Sequence, residues 1–202
     1  MQRKFFDMLL SVTGLVLVVA LLVGGGLLLW GANFANSSVH NQLAQQEIFF
    51  PPKAAFAAAQ PGTGITPEMK PYLLQYAGQQ VLTGAQAEAY ANHFIAVHLS
   101  EMPYGGVYAK VSAASRANPT NTALASEVQT VFQGTTLRGL LLEAYGFSQF
   151  AVIAEWGALS CFVGAAVMLI LVLIGFAHAR RTPVTEQLVV ATPEEDKVLI
   201  GV

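Results

Sequence analysis

The chain has 202 residues, 54% of them hydrophobic and only 11% charged, with a net charge of −2. Soluble domains carry roughly a quarter charged residues, so this is the composition of a membrane protein with room for one small domain beside its spans. The near-neutral balance offers no basic surface for nucleic acid. The single cysteine, Cys161, excludes an internal disulfide, a c-type haem attachment, a cysteine-ligated iron–sulfur cluster and a multi-cysteine zinc site.

Residues 1–7 carry Arg3 and Lys4 and read as a cytoplasmic N-terminus, and residues 8–31 as the first transmembrane helix. Met8 to Trp30 is uncharged, longer than the roughly 20 residues a crossing needs, and closes on a tryptophan suited to the interface. A cleaved signal peptide is the competing reading. The apolar run exceeds the usual h-region, however, and GANFANSS is a poor match to an Ala-x-Ala cleavage site, so an uncleaved anchor is expected. Gly14, Gly25 and Ala32 share one face of this helix and could pack against the second span, while Gly24 to Gly26 offer a place to kink.

Residues 32–146 are expected to form an extracytoplasmic helical domain. Ala35 to Glu47 can continue the first helix. FFPPKAAFAAAQPGTGITP, with Pro51, Pro52 and Pro61, then predicts an extended connector. Its Phe49, Phe50 and Phe56 are too apolar for a free linker and are candidate contacts with the domain, lipid headgroups or a partner. Thr66-Pro67-Glu68 starts a helix that restarts at Pro71 and aligns Leu73, Leu74, Ala77 and Val81. Thr83 to Gln86 has the form of a capping box, opening a helix through His98 or Leu99 on which Ala87, Tyr90, Phe94 and Val97 recur. Pro103 and Gly105-Gly106 end it. VYAKVSAASRA predicts another short helix, NPTNT resets the chain, and Leu124, Val128, Val131 and Phe132 form the next apolar face, which Gly134 is expected to separate from the long helix beyond. With no convincing period-two run, the domain reads as a small helical bundle. It has few charges, so part of its surface is expected to be covered by lipid or another subunit.

The second transmembrane segment is placed at 147–177, within a helix beginning near 136. Trp156 to Ala177 contains no Asp, Glu, Lys, Arg or His. Gly139, Gly146, Gly157, Gly164 and Gly175 are spaced by seven or eleven, steps that return to one face within roughly 20° at about 100° per residue. This stripe is the expected docking face, against the reading that glycine is simply frequent in membrane helices. His178, Arg180 and Arg181 follow, so both termini should be cytoplasmic and the central domain outside. Residues 178–202 form a cytoplasmic tail. Its QLVVA and KVLIG pieces are expected to be disordered alone, or held by strand addition to a partner.

Candidates for chemistry are few. His93 and His98 are five apart, about 140° on a helix, and so do not form the i, i+4 pair a metal prefers. With Glu101 they make the one metal-dependent alternative worth stating. Glu155 sits at the outer mouth of the span, where an interface anchor or a partner contact explains it better than a proton relay. Arg138 and Glu143 read as interface or packing charges. No phosphate loop, nucleophile elbow or zinc-protease motif occurs. No catalytic, cofactor-binding or metal residue is assigned.

Through ANHFIAVHL, YAKVSAASRANP and above all VQTVFQGTTLRGLLLEAYGF, followed by a span ending in GFAHARR, the chain resembles a group of two-span actinobacterial membrane proteins. Members often carry a ring-opening dioxygenase label, for which this sequence offers no metal-ligand set. The resemblance implies no catalytic residues. By analogy with accessory subunits of cytochrome bcc and aa3-type oxidase assemblies, it implies a subunit of a larger complex. The expectation is therefore an all-α membrane protein, two transmembrane helices flanking a small outer bundle. Such a protein would act without catalysis as an accessory or assembly subunit, its partners being membrane lipid and a larger integral membrane complex. The alternative is an outward-facing module that binds lipid or quinone.

Overall fold

A computed structural model describes residues 3–181 and 183, and in it the chain is helical almost throughout. Two helices dominate: α1, Arg3–Gln45, and α7, Thr122–Arg181, both long and apolar enough to cross a membrane. At 60 residues α7 has three times the length a crossing takes. The chain divides into two compact units, one of Met1–Leu27 with Gly157–Val202 and one of Leu28–Trp156. The tail's apolar pieces, QLVVA and KVLIG, lie outside the described residues.

Among the described residues of the first unit the elements are α1 and α7, and they pack antiparallel. Gly14 lies against Val172 and Met168, Gly25 against Cys161 and Phe162, and Gly164 against Leu21. Asp7 meets His178 at 3.8 Å. Each helix buries a narrow strip and leaves the remaining apolar side chains exposed.

The second unit holds a conventional core of Val39 and Leu43 from α1, Leu141 from α7, and Phe50, Phe56, Met69, Leu73, Val81, Ala87 and Ile95 from the segments between. Here α1 ends where Glu47 turns left-handed (φ 50°). The Gln80 side chain donates to the Ala44 carbonyl at 2.9 Å, satisfying one of the acceptors a helix end leaves open. Residues 48–51 then run antiparallel to 78–81, with Phe50 N–H donating to Gln79 and Val81 N–H to Ile48. This short pairing has no alternating apolar and polar pattern to announce it: Ile48, Phe50 and Val81 pack on the core, while the apolar Phe49 between them is exposed.

The connector is more ordered than its prolines suggest. It contains helix α2, Lys53–Ala57, with Pro52 at its N-cap. Proline is tolerated at a helix start, where its missing N–H would be unpaired anyway, and alanine is the best helix former. Helix α2 turns Phe56 inward to 1% exposure, and the pairing beside it buries Phe50 to 2%. Of the contacts expected for them, with the domain, lipid headgroups or a partner, both make the first, as core residues. Only Phe49 remains outside, 55% exposed.

Helix α3, Lys70–Leu73, lies between two short 3-10 turns and buries Leu73, while Leu74 faces outward. The predicted capping box opens α4, Gly84–Tyr90. Thr83 Oγ1 accepts from Gln86 N–H at 3.3 Å, and Gln86 Oε1 accepts from Thr83 N–H at 3.1 Å. Gly84 admits α7 closely, since a Cβ there would strike the Ser148 side chain. One π turn, Ala91–Ile95, links α4 to α5, Ala96–Glu101, so the helix runs slightly past the expected Leu99. Helix α6, Tyr108–Ala117, follows a 3-10 turn at Pro103–Gly106, and buries Val111.

Helix α7 starts at Thr122, with Asn121 Oδ1 accepting from Leu124 N–H at 3.0 Å, well before the expected start near residue 136. Gly134 does not break it. The Leu99 side chain packs where a Cβ would stand at 134, 2.9 Å from its Cδ2. The glycine is therefore a notch for a neighbour inside a continuous helix.

Candidate functional site

The first candidate is the seam between the two long helices. In the first unit, α1 buries Ser11, Gly14, Val18 and Gly25, and α7 buries Ala158, Ala165, Val172 and Ala179. Ser11, Val18 and Gly25, with Gly14 between them, and the four α7 residues advance by seven, the repeat that keeps one stripe of a helix facing a partner helix. In the second unit Ala32 and Val39 of α1 and Ala151 of α7 are buried at the same step. Small side chains make the approach close. A Cβ added at Gly14 would lie 2.6 Å from Val172 Cγ2, one at Gly25 would lie 3.1 Å from Cys161 Cβ, and one at Gly175 would lie 2.5 Å from Ser11 Oγ.

The expected glycine stripe is thus placed unevenly. Gly14, Gly25, Gly164 and Gly175 meet the opposite helix, Gly157 is half-buried, and nothing stands within 4 Å of a Cβ built at Gly139 or Gly146. The centre of the α7 seam is the alanine–valine row, one position along from Gly157 and Gly164. The signal was present as a strict seven-residue recurrence of Ala144, Ala151, Ala158, Ala165, Val172 and Ala179.

A polar cluster in the second unit uses residues read from the sequence as separate. Arg138 Nη2 donates to Asn92 Oδ1 at 2.8 Å, and Asn92 Nδ2 donates to Glu88 Oε1 at 2.8 Å. Asn92 belongs to the π turn, so its reach to α7 follows from that local irregularity. Arg138 is therefore engaged within its own chain. Glu155 accepts from Asn36 Nδ2 at 3.1 Å at the surface.

The two histidines go different ways. His93 stacks on Tyr72, the ring centres 3.5 Å apart and the planes within 2°. His98 Nδ1 lies 2.7 Å from the Phe94 carbonyl. Among the described residues no three of His, Cys, Asp and Glu converge as a metal set. Tyr90, wedged between Phe50 and Phe94, has its phenol pushed up by burial. The exposed Glu68 carboxyl is held below its ordinary value by the Thr66 hydroxyl and its own backbone N–H.

An aromatic girdle completes the surface of the second unit. Trp30 and Phe34 stack with ring centres 5.9 Å apart and are 68% and 64% exposed. On α7, Phe147, Phe150 and Trp156 are likewise exposed. These amphipathic or apolar rings stand in water only at a cost, and tryptophan in particular favours the bilayer interface. What the arrangement offers chemically is apolar and small-residue contact, beside the Glu88–Asn92–Arg138 hydrogen-bond chain. The chain matches no protein-family model, no curated protein and no solved structure.

Proposed function

We propose that this protein is a non-catalytic subunit or assembly factor of a larger membrane complex, anchored by α1 and α7 with its central domain outside. The observation that carries the reading is the exposure of large apolar side chains all round the seam. Leu9, Val16, Val23 and Leu27 on α1 and Val163, Ile170, Leu173 and Ile174 on α7 are open. Water does not tolerate contiguous apolar surface of that kind, whereas lipid or a neighbouring apolar helix covers it without penalty. The absence of Asp, Glu, Lys, Arg and His from Met8 to Trp30 and from Trp156 to Ala177 agrees.

Arg3, Lys4, Arg180 and Arg181 bracket these stretches and support cytoplasmic ends. The sequence resemblance suggests a respiratory oxidase assembly as the class of partner. The test is purification from native membranes in mild detergent, with cross-linking mass spectrometry. Stoichiometric co-purification with an integral membrane complex is expected, and haem in that complex would support the respiratory assignment. Recovery as a free monomer under those conditions would overturn the reading, as would protease digestion that leaves the central domain protected in sealed right-side-out vesicles.

A further inference from the structure

Above the aromatic girdle, α1 and α7 leave a groove of about 350 Å³ between residues 35–46 and 137–147. We infer that this groove holds one acyl chain of a phospholipid whose headgroup carries an amine. The inference rests on the membrane placement just proposed and goes beyond it. Val39, Leu43 and Leu141 form the floor and belong to the domain core, so the floor is rigid and apolar. Leu140 and Phe147 form an exposed wall. Twelve residues of α1 along the groove give a length of about 16 Å.

Size decides between occupants. A partner helix of that length, about 10 Å across, displaces on the order of 1,000 Å³ and would rest on this groove instead of filling it. A single hydrocarbon chain is slim enough to enter. Exposed apolar rings flank the lower end of the groove, beside the exposed Asn36–Glu155 hydrogen bond. Phe34 precedes Ala35 at its lower end on α1, and Phe150 is one turn from Phe147 on α7.

The polar side chains along the groove select the headgroup. Glu143 is the one ionisable residue lining the groove, accompanied by Gln42, Gln46 and Ser38. Gln42 Nε2 already donates to Ser38 Oγ at 2.9 Å, which leaves its amide oxygen as an acceptor. A carboxylate with amide oxygens welcomes an ammonium donor and repels a purely anionic head.

The experiment uses full-length protein in phosphatidylcholine vesicles and quenching by lipids with brominated acyl chains, which acts only near contact. In the native chain, brominated phosphatidylcholine should quench Trp30 and Trp156. In a chain carrying Trp30→Phe, Trp156→Phe and Leu140→Trp, the new indole lies sixteen residues from 156, about 24 Å along α7 and beyond the reach of bilayer chains. A minor fraction of brominated phosphatidylethanolamine should still quench it several-fold more than brominated phosphatidylglycerol. Ala144→Phe, or Ala35→Phe on the opposite wall, should abolish that quenching while circular dichroism stays unchanged, and Glu143→Gln should remove the headgroup preference. Native tryptophans that resist quenching would sink the membrane placement and the groove with it. Quenched native tryptophans beside an unquenched Leu140→Trp would overturn the groove alone, and equal quenching by both headgroups would overturn the amine assignment.

Discussion

Gly14 and Gly24 lie on the same helix and differ in what faces them, so one substitution made at both isolates the seam. A Cβ at Gly14 would come within 2.6 Å of Val172 Cγ2, whereas nothing lies within 4 Å of one at Gly24. Carbon atoms prefer roughly 3.5–4.0 Å, and Val172 is buried, with the stiff χ1 of a β-branched residue in a helix. It cannot swing aside. Overpacking of this kind costs about 1–3 kcal/mol, set against about 1 kcal/mol gained whenever glycine becomes alanine in a helix. The propensity gain is common to both sites, so Gly14→Ala should be about 1–3 kcal/mol less stable than Gly24→Ala, which should itself be neutral or gain up to about 1 kcal/mol. Adding Val172→Ala removes the clashing methyl, so the double variant should be more stable than the two single losses predict, by a coupling of about 0.5–3 kcal/mol. The assay is unfolding in mixed micelles titrated with sodium dodecyl sulfate, followed by tryptophan fluorescence and circular dichroism. A Gly14→Ala protein as stable as Gly24→Ala, or single effects that add to within about 0.5 kcal/mol, would refute antiparallel packing at this register.

Thr83→Ala removes the acceptor for Gln86 N–H and should lower domain stability by about 1 kcal/mol, with Thr83→Ser largely restoring it in thermal melts. Asn92→Ala takes the acceptor from the half-buried Arg138 guanidinium and should cost about 1–3 kcal/mol; an unchanged melt would mean that the Glu88–Asn92–Arg138 chain contributes nothing. Tyr90 has a folded-state pKa raised by burial above its ordinary 10.0. Its contribution is thus complete below pH 10 and is lost as pH climbs through the raised value. Alkaline melts should show that loss, and Tyr90→Phe should remove the Tyr90 component; an identical alkaline profile in the variant would contradict it.

Much of the helical domain was legible because local chemistry sufficed. The Thr83–Gln86 capping box, the turn at NPTNT and the stop at Pro103 depend on residues within one helical turn of each other. The misreadings share a cause. Gly134 and the proline-rich connector were judged by what those residue types do alone, and each was decided by neighbours distant in sequence. Leu99 fills the space over Gly134, and the pairing of 48–51 with 78–81 closes the core around Phe50 and Phe56.

The sequence by itself determined that two long apolar helices exist, that an uncharged stretch of each can span a bilayer, and that no motif for catalysis is present. Periodicity and composition suffice there, since both act along one helix. Tertiary structure decided which small residues form the seam, turning it from glycines alone to the alanine–valine row beside them. It also decided that Arg138 bonds to Asn92 of its own chain, and that a groove opens above the aromatic girdle. Those outcomes depend on the rotation and register of one helix against another, which the pattern along either helix does not contain.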